Sequence, residues 1–291
     1  MKINTILVIA DKQDKQQKAL ARAQIMAERF DAKVHVVAFT YERLAGLSVD
    51  LSESDVQKAQ QTLLKKHHDW LAKQVKEQEL DASFEVVWEK DIVSWVKTHT
   101  AEQHYDLIIK TGNRSETALY TPTDWHLFRN GELPVLLVAE KRWRKKQAVM
   151  VALDMATKSK AKQTLNKKLV ETAKVMAEGM QMPLHFVCSL SISPVLKDLG
   201  IVDSKKLVRK AKAEYLPQIR KMAGNDSLTE ETVHIKAGEA CKVIPSVASE
   251  YGASLVVIGS VGRKGLKAKL MGNTAEKVLA LLKTNVLVVQ P

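Results

Sequence analysis

Cysteine is nearly absent from this 291-residue chain: Cys188 and Cys241 are the only two, and their spacing matches no metal-ligand pattern. That excludes a disulfide framework and fits a reducing compartment, so the chain reads as cytoplasmic. Long apolar runs are missing as well. No stretch of about 18 apolar residues exists to span a membrane, and the apolar segment from Ile3 to Ile9 lacks a small-residue cleavage site, which makes it a first strand and not a signal peptide. Aromatics are scarce, at 5%, so the net charge of +12 reads as solvated helix faces and not as a nucleic-acid surface. The densest basic cluster, Lys141 to Lys146, falls at mid-chain and reads as a linker. Signatures of catalysis are also missing. There is no Ser-His-Asp order, H-E-x-x-H or C-x-x-C, and this argues against an enzyme.

What is present is a repeat. Hydrophobic residues make up 45% of the chain and charged ones 27%, ordinary for a globular protein, and the length suits two domains. The run from Ile6 to Asp11 and the run from Val149 to Asp154 are both apolar strands that end on an aspartate and lead into a long helix-forming stretch. Val34 to Val37 corresponds to Leu184 to Val187, Asp106 to Ile109 to Ser254 to Val257, and Pro134 to Val138 to Asn285 to Val289. The offsets run from 143 to 151, which an internal duplication explains. Helical patterns separate these strands, for example Val56, Leu63, His67, Trp70 and Leu71 on one face. Short apolar strands joined by helical crossovers make a parallel sheet covered on both faces, so each half is expected to be a doubly wound α/β domain. The domains are placed at 1–142 and 147–291. Strands are expected at 3–9, 33–39, 83–88, 105–110 and 134–138, and again at 147–153, 183–188, 231–236, 254–258 and 285–289.

The second half carries a glycine loop. Gly259, Gly262 and Gly272 lie between an apolar strand, 253 to 258, and an amphipathic helix that begins at Asn273 or Thr274. Glycines after a strand let backbone N–H groups come close to a ligand, and the helix start adds its own unsatisfied donors. That geometry suits phosphate, although the spacing G-x2-G-x9-G is neither a P-loop nor a dinucleotide fingerprint.

These residues resemble the universal stress protein family in its tandem-domain form, over essentially the whole chain. The carriers are the strand ending in Asp154, the Gly259, Gly262 and Gly272 spacing, the Gly-Asn-Thr-Ala-Glu run at 272 to 276 and the Thr-Pro-Thr-Asp-Trp-His-Leu run at 121 to 127. The resemblance implies two flavodoxin-like (HUP-type) domains, each with five parallel strands in the order 3-2-1-4-5, paired through their last strands as an internal pseudo-dimer. It also implies ATP, with magnesium, in members that keep the glycine loop, and a role in stress resistance that includes DNA damage. Asp154 would accept a hydrogen bond from the adenine, and Gly259, Gly262, Gly272, Asn273 and Thr274 would hold ribose and phosphates. Phe186 and Ile258 would be apolar neighbours of the base. The switch point of an open parallel sheet falls at the same place. The family pattern has Ser or Thr directly after the last glycine; here Asn273 comes first, a good helix N-cap that competes for the same donors.

The first half has lost the loop. Thr121 and Pro122 align with Gly272 and Asn273, and proline deletes the central N–H donor. Asp11 persists as a turn residue, so nucleotide is expected in the C-terminal domain alone. His126 has no evident catalytic partner. His67 and His68, beside Asp69, are adjacent on a helix and do not face each other. The reading is a ligand-binding regulatory protein with an unidentified protein partner and no membrane span. A slow ATPase or nucleotidyl transferase at the same cleft, an apolar or lipid-like ligand, and a further homodimer stay open.

Overall fold

Short runs of β-branched and aliphatic residues supply every strand. In the computed structural model, residues 2–44, 52–112, 127, 133–139, 147–192, 195, 199, 202–260 and 273–291 are described, and side chains at 273–276 are not. Contacts among Cα atoms divide the chain into two units, Ile3–Thr111 and Gly112–Pro291 with Met1–Lys2. The expected boundary between 142 and 147 falls outside the described residues.

The first unit runs β1 (Thr5–Ala10), α1 (Lys18–Phe30), β2 (Lys33–Thr40), α2 (Glu53–Glu77), β3 (Ala82–Trp88), α3 (Ile92–Glu102) and β4 (Leu107–Thr111). Its strands are parallel in the order β3-β2-β1-β4. Ile6, Leu7 and Val8 have no exposed surface, because helices cover both faces of the sheet. In α1, Ala19, Leu20, Ala23 and Met26 recur at helical spacing and are buried. Ser52 caps α2 by accepting the Asp55 N–H, and Asp91 caps α3 by accepting the Ser94 N–H.

The second unit contains β5 (Val135–Val138), β6 (Ala148–Leu153), α4 (Lys160–Met180), β7 (Leu184–Leu190), α5 (Ser204–Ala223), β8 (Val233–Ala237), α6 (Ala240–Glu250), β9 (Ala253–Gly259), α7 (Asn273–Leu281) and β10 (Asn285–Val289). Strands β8-β7-β6-β9-β10 are parallel and reproduce the order 3-2-1-4-5. Strand β5, the last of the first repeat, joins β10 antiparallel, with Leu136 opposite Leu287. This is the pairing through last strands that the resemblance implies. Asn285 secures it: its Oδ1 accepts the Ala139 N–H at 3.0 Å and its Nδ2 donates to the Ser254 carbonyl at 2.8 Å. The exit of the fourth strand is fixed alike in both repeats, since Gly112 donates to the Val138 carbonyl and Ser260 to the Val289 carbonyl.

All ten expected strands are present, with ends no more than two residues from those read in the sequence. None of the described helices is long and apolar enough to cross a membrane.

Candidate functional site

In the second unit the winding reverses between β6 and β9, and their carboxyl ends lie side by side. The register pairs Val151 with Val257, which puts Gly259 next to Leu153, one residue before Asp154. Two of the expected site residues, far apart in sequence, therefore meet at the switch point.

Asp154 is held by its backbone. Asn166, in α4 and buried, accepts the Asp154 N–H at 3.2 Å and donates to the Asp154 carbonyl at 2.9 Å. This double bond between an asparagine side chain and one residue's main chain fixes the direction in which the carboxylate leaves the sheet. One carboxylate oxygen takes the Lys162 ammonium at 2.9 Å, and both side chains are about half exposed. Such a pair is weak in water and opens readily. The carboxylate can accept from a ligand while Lys162 stays at its other side or swings to a nearby anion. The α4 N-terminus is uncapped: Ser159 makes no side-chain cap hydrogen bond, so its first N–H groups remain available to an anion.

Gly259 has a structural reason of its own. A Cβ built there would lie 2.7 Å from Leu165 Cδ2 and 3.1 Å from Leu165 Cγ, so the glycine lets α4 close onto the sheet. Its neighbour Ser260 is buried, and its Oγ has no hydrogen-bond partner among the described residues. A buried hydroxyl without a partner is costly, and it stands at the strand exit where the loop departs. Gly262 and Gly272, with Lys264, Lys267 and Lys269, lie outside the described residues. Asn273 is the first residue of α7 and Thr274 the second, as expected for a helix starting directly after the last glycine, but their side chains are not described.

Phe186 and Ile258 lie on opposite faces of the sheet. Phe186 and Val257 both pair with Val151 and share its face of the sheet; Ile258, one residue on, points to the opposite face. Phe186 is fully buried at mid-strand, on the face where α4 packs, and belongs to the core. Cys188, on the same face, is equally buried, and burial pushes its thiol up to about 12.

In the first unit the corresponding donors are used by the chain itself. Thr111 stands where the second repeat has Gly259. Its hydroxyl donates to the Asp14 carboxylate at 2.9 Å and accepts the Ala19 N–H at 3.1 Å. Asp14 also accepts the Lys18 N–H at 2.8 Å and the Gln16 N–H at 3.1 Å. Buried side chains thus take the Lys18 and Ala19 N–H groups at the start of α1. Asp11 accepts the Gln13 N–H at 2.9 Å, the local turn expected of it. Thr121, Pro122 and His126 lie outside the described residues.

His67 and His68 do not converge on a common site. His67 bonds to Lys12 and His68 leans on Phe84, with ring centroids 5.2 Å apart. Two other histidine groups do. In the first unit His35, Glu85 and His99 meet; in the second, His185 Nδ1 lies 2.9 Å from His234 Nε2, with Tyr251 stacked on His234 at 3.9 Å. Burial lowers His185, and burial together with the neighbouring His185 takes His234 down to about 4. Periodicity did not flag them. The available signal was a histidine at the same place in two apolar strands, His35 in β2 and His185 in β7.

The model described as "Universal stress protein family" matches residues 2–139 and 146–290. A Haemophilus influenzae protein named "Universal stress protein E homolog" is 28% identical over 304 residues, covering 100% of this chain and 98% of that protein. "Universal stress protein E" of Escherichia coli K12 is 27% identical over 295 residues, covering 98% and 93%. Among solved structures, a functionally unknown Pseudomonas aeruginosa PAO1 protein is 25% identical with a TM-score of 0.73, covering 99% of this chain and 93% of that one. A universal stress protein from Archaeoglobus fulgidus DSM 4304, at 16% identity and a TM-score of 0.65, covers 100% and 99% and shares the fold.

Proposed function

Since the chain belongs to the universal stress protein family, we propose that it is a ligand-responsive stress protein whose second repeat alone takes ATP or a related nucleotide. The observation that carries this reading is the juxtaposition of Asp154 and Gly259 at the ends of β6 and β9, set against Thr111 and Asp14, which fill the same place in the first unit. The residues fit the ligand in three respects. The Asp154 carboxylate is oriented by Asn166 and half exposed, ready to accept from an exocyclic amine. The α4 N-terminus is uncapped, and Lys162 stands beside it to offset phosphate charge. Ser260 brings a buried hydroxyl that still lacks a partner. Gly262, Gly272, Asn273 and Thr274 would carry the phosphates on the helix start, with magnesium bound through the phosphates themselves. Binding, not turnover, is the function: the ligand would order this edge and so bias an interaction with a protein partner in the cytoplasm.

The test is equilibrium binding of labelled ATP, with and without magnesium, followed by analysis of the recovered nucleotide. One ATP per chain, lost in Asp154→Ala and in Gly262→Val and recovered unhydrolysed, is the expected result. Two per chain would contradict the asymmetry, and turnover would make the protein an enzyme. Native mass spectrometry of the purified protein adds a second arm, in which a lipid-like molecule in place of nucleotide would overturn the assignment.

A further inference from the structure

We propose that His35, Glu85 and His99 form a binding site for a divalent transition-metal ion of the zinc type, in the first unit and separate from any nucleotide role. A ligating atom of each lies within 4.8 Å of the other two, a convergence of three elements, β2, β3 and α3. The sheet produces it. Val36 shares a row with Val8 and Ile109, the face on which Thr111 meets α1, so His35 points to the other face. There the ring of His99 from α3 stacks on it, with centroids 5.7 Å apart. Glu85 lies two residues beyond Ser83, the register partner of His35, and so on the same face.

The hydrogen bonds around His35 already have the form of a metal ligand's surroundings. Nδ1 lies 2.8 Å from Ser83 Oγ and Nε2 lies 3.1 Å from Glu85 Oε1. An ionised carboxylate only accepts, so Nε2 must present a positive centre to it, either a proton or a metal ion. Replacing that proton by an ion moves the ring proton to Nδ1, where the serine oxygen accepts it and fixes the tautomer. Zinc bonds of about 2.1 Å in a tetrahedral site put ligand atoms about 3.4 Å apart, close to the His35–Glu85 separation. His99 must approach by on the order of 1 Å. Its ring is held in a stack between Trp95, at 4.2 Å, and Tyr105, at 5.6 Å, and the Tyr105 hydroxyl lies 3.0 Å from its Nε2. Two imidazoles and one carboxylate suit zinc, cobalt or nickel and leave a fourth position for water.

The second repeat is a built-in control. His185 takes the place of His35, and His234 that of Glu85; their nitrogens lie 2.9 Å apart. Among the described residues no group of three ligands forms there.

The experiment uses the full chain, purified without a polyhistidine tag and stripped with a chelator, titrated with cobalt(II) and then displaced by zinc(II). We expect one cobalt per chain with the intense visible absorption of a tetrahedral ion. Glu85→Gln and His99→Gln should each weaken it by at least about a hundredfold, and Ser83→Ala by about tenfold. His185→Gln and His234→Gln should leave it unchanged. Zinc should raise the Tm of the parent protein and not that of Glu85→Gln, a near-isosteric change at a partly exposed side chain whose folding is checked by circular dichroism. Absence of stoichiometric cobalt binding, or binding that survives both Glu85→Gln and His99→Gln in folded protein, would overturn the proposal.

Discussion

Asn166 grips Asp154 at both ends of its main chain, accepting its N–H at 3.2 Å and donating to its carbonyl at 2.9 Å. The aspartate that follows β6 is therefore aimed by a buried residue of α4, twelve positions on. Asn166→Ala removes both bonds and leaves two part-buried polar groups without partners. A loss of about 1–3 kcal/mol is expected in urea denaturation, together with weaker ATP binding measured by calorimetry. Unchanged stability would mean that water replaces the side chain without cost.

Gly259 separates packing from ligand binding. In Gly259→Ala the new methyl group meets Leu165, and overpacking of this kind costs about 1–3 kcal/mol. Pairing it with Leu165→Ala should recover part of that loss, an interaction energy of about 0.5–3 kcal/mol in a double-mutant cycle. Strict additivity would place the role of Gly259 in the loop backbone and not in the helix contact.

Thr111→Val in the first unit removes one donor and one acceptor from the start of α1. Asp14 and the Ala19 N–H lose a buried partner, and a cost of about 1–3 kcal/mol is expected by thermal or chemical denaturation. ATP stoichiometry should stay at one per chain. A second bound nucleotide in this variant would show that Thr111 alone had closed the first cleft.

The pair His185–His234 makes stability pH-dependent. His234 falls from the ordinary 6.5 to about 4 in the folded protein, chiefly through burial. Between these values the unfolded chain binds the extra proton and the folded chain does not, so stability rises with pH there. The contribution is fully present above about 6.5, is lost as pH falls toward about 4, and changes little below that. The denaturation midpoint of the parent protein minus that of His234→Gln should show this slope. A difference flat from pH 7 to pH 4 would mean that His234 titrates normally.

Much of the architecture was legible because it is local. Short β-branched runs such as Ile6 to Ile9 and Val149 to Val151 hold their conformation wherever they lie, and the helical patterns between them require parallel pairing. The duplicate pointed to Asp154 and Gly259, and the sheet brings those two together. Hydrophobicity alone does not say which face of a strand Phe186 occupies; pairing with Val151 decides that. His35, Glu85 and His99 escaped notice for a related reason. The first two are fifty residues apart in sequence, and no spacing rule joins them.

The sequence by itself determined the two-fold repeat, the strands, and the residues that end β6 and β9, since each follows from composition and periodicity within a few turns of chain. The tertiary structure decided how those residues are used. It showed that Asn166 orients Asp154, that Gly259 admits Leu165, and that Thr111 and Asp14 take N–H groups at the start of α1. The physical reason is that hydrogen-bond satisfaction and steric fit depend on register and helix packing, which bring together side chains that no local pattern relates.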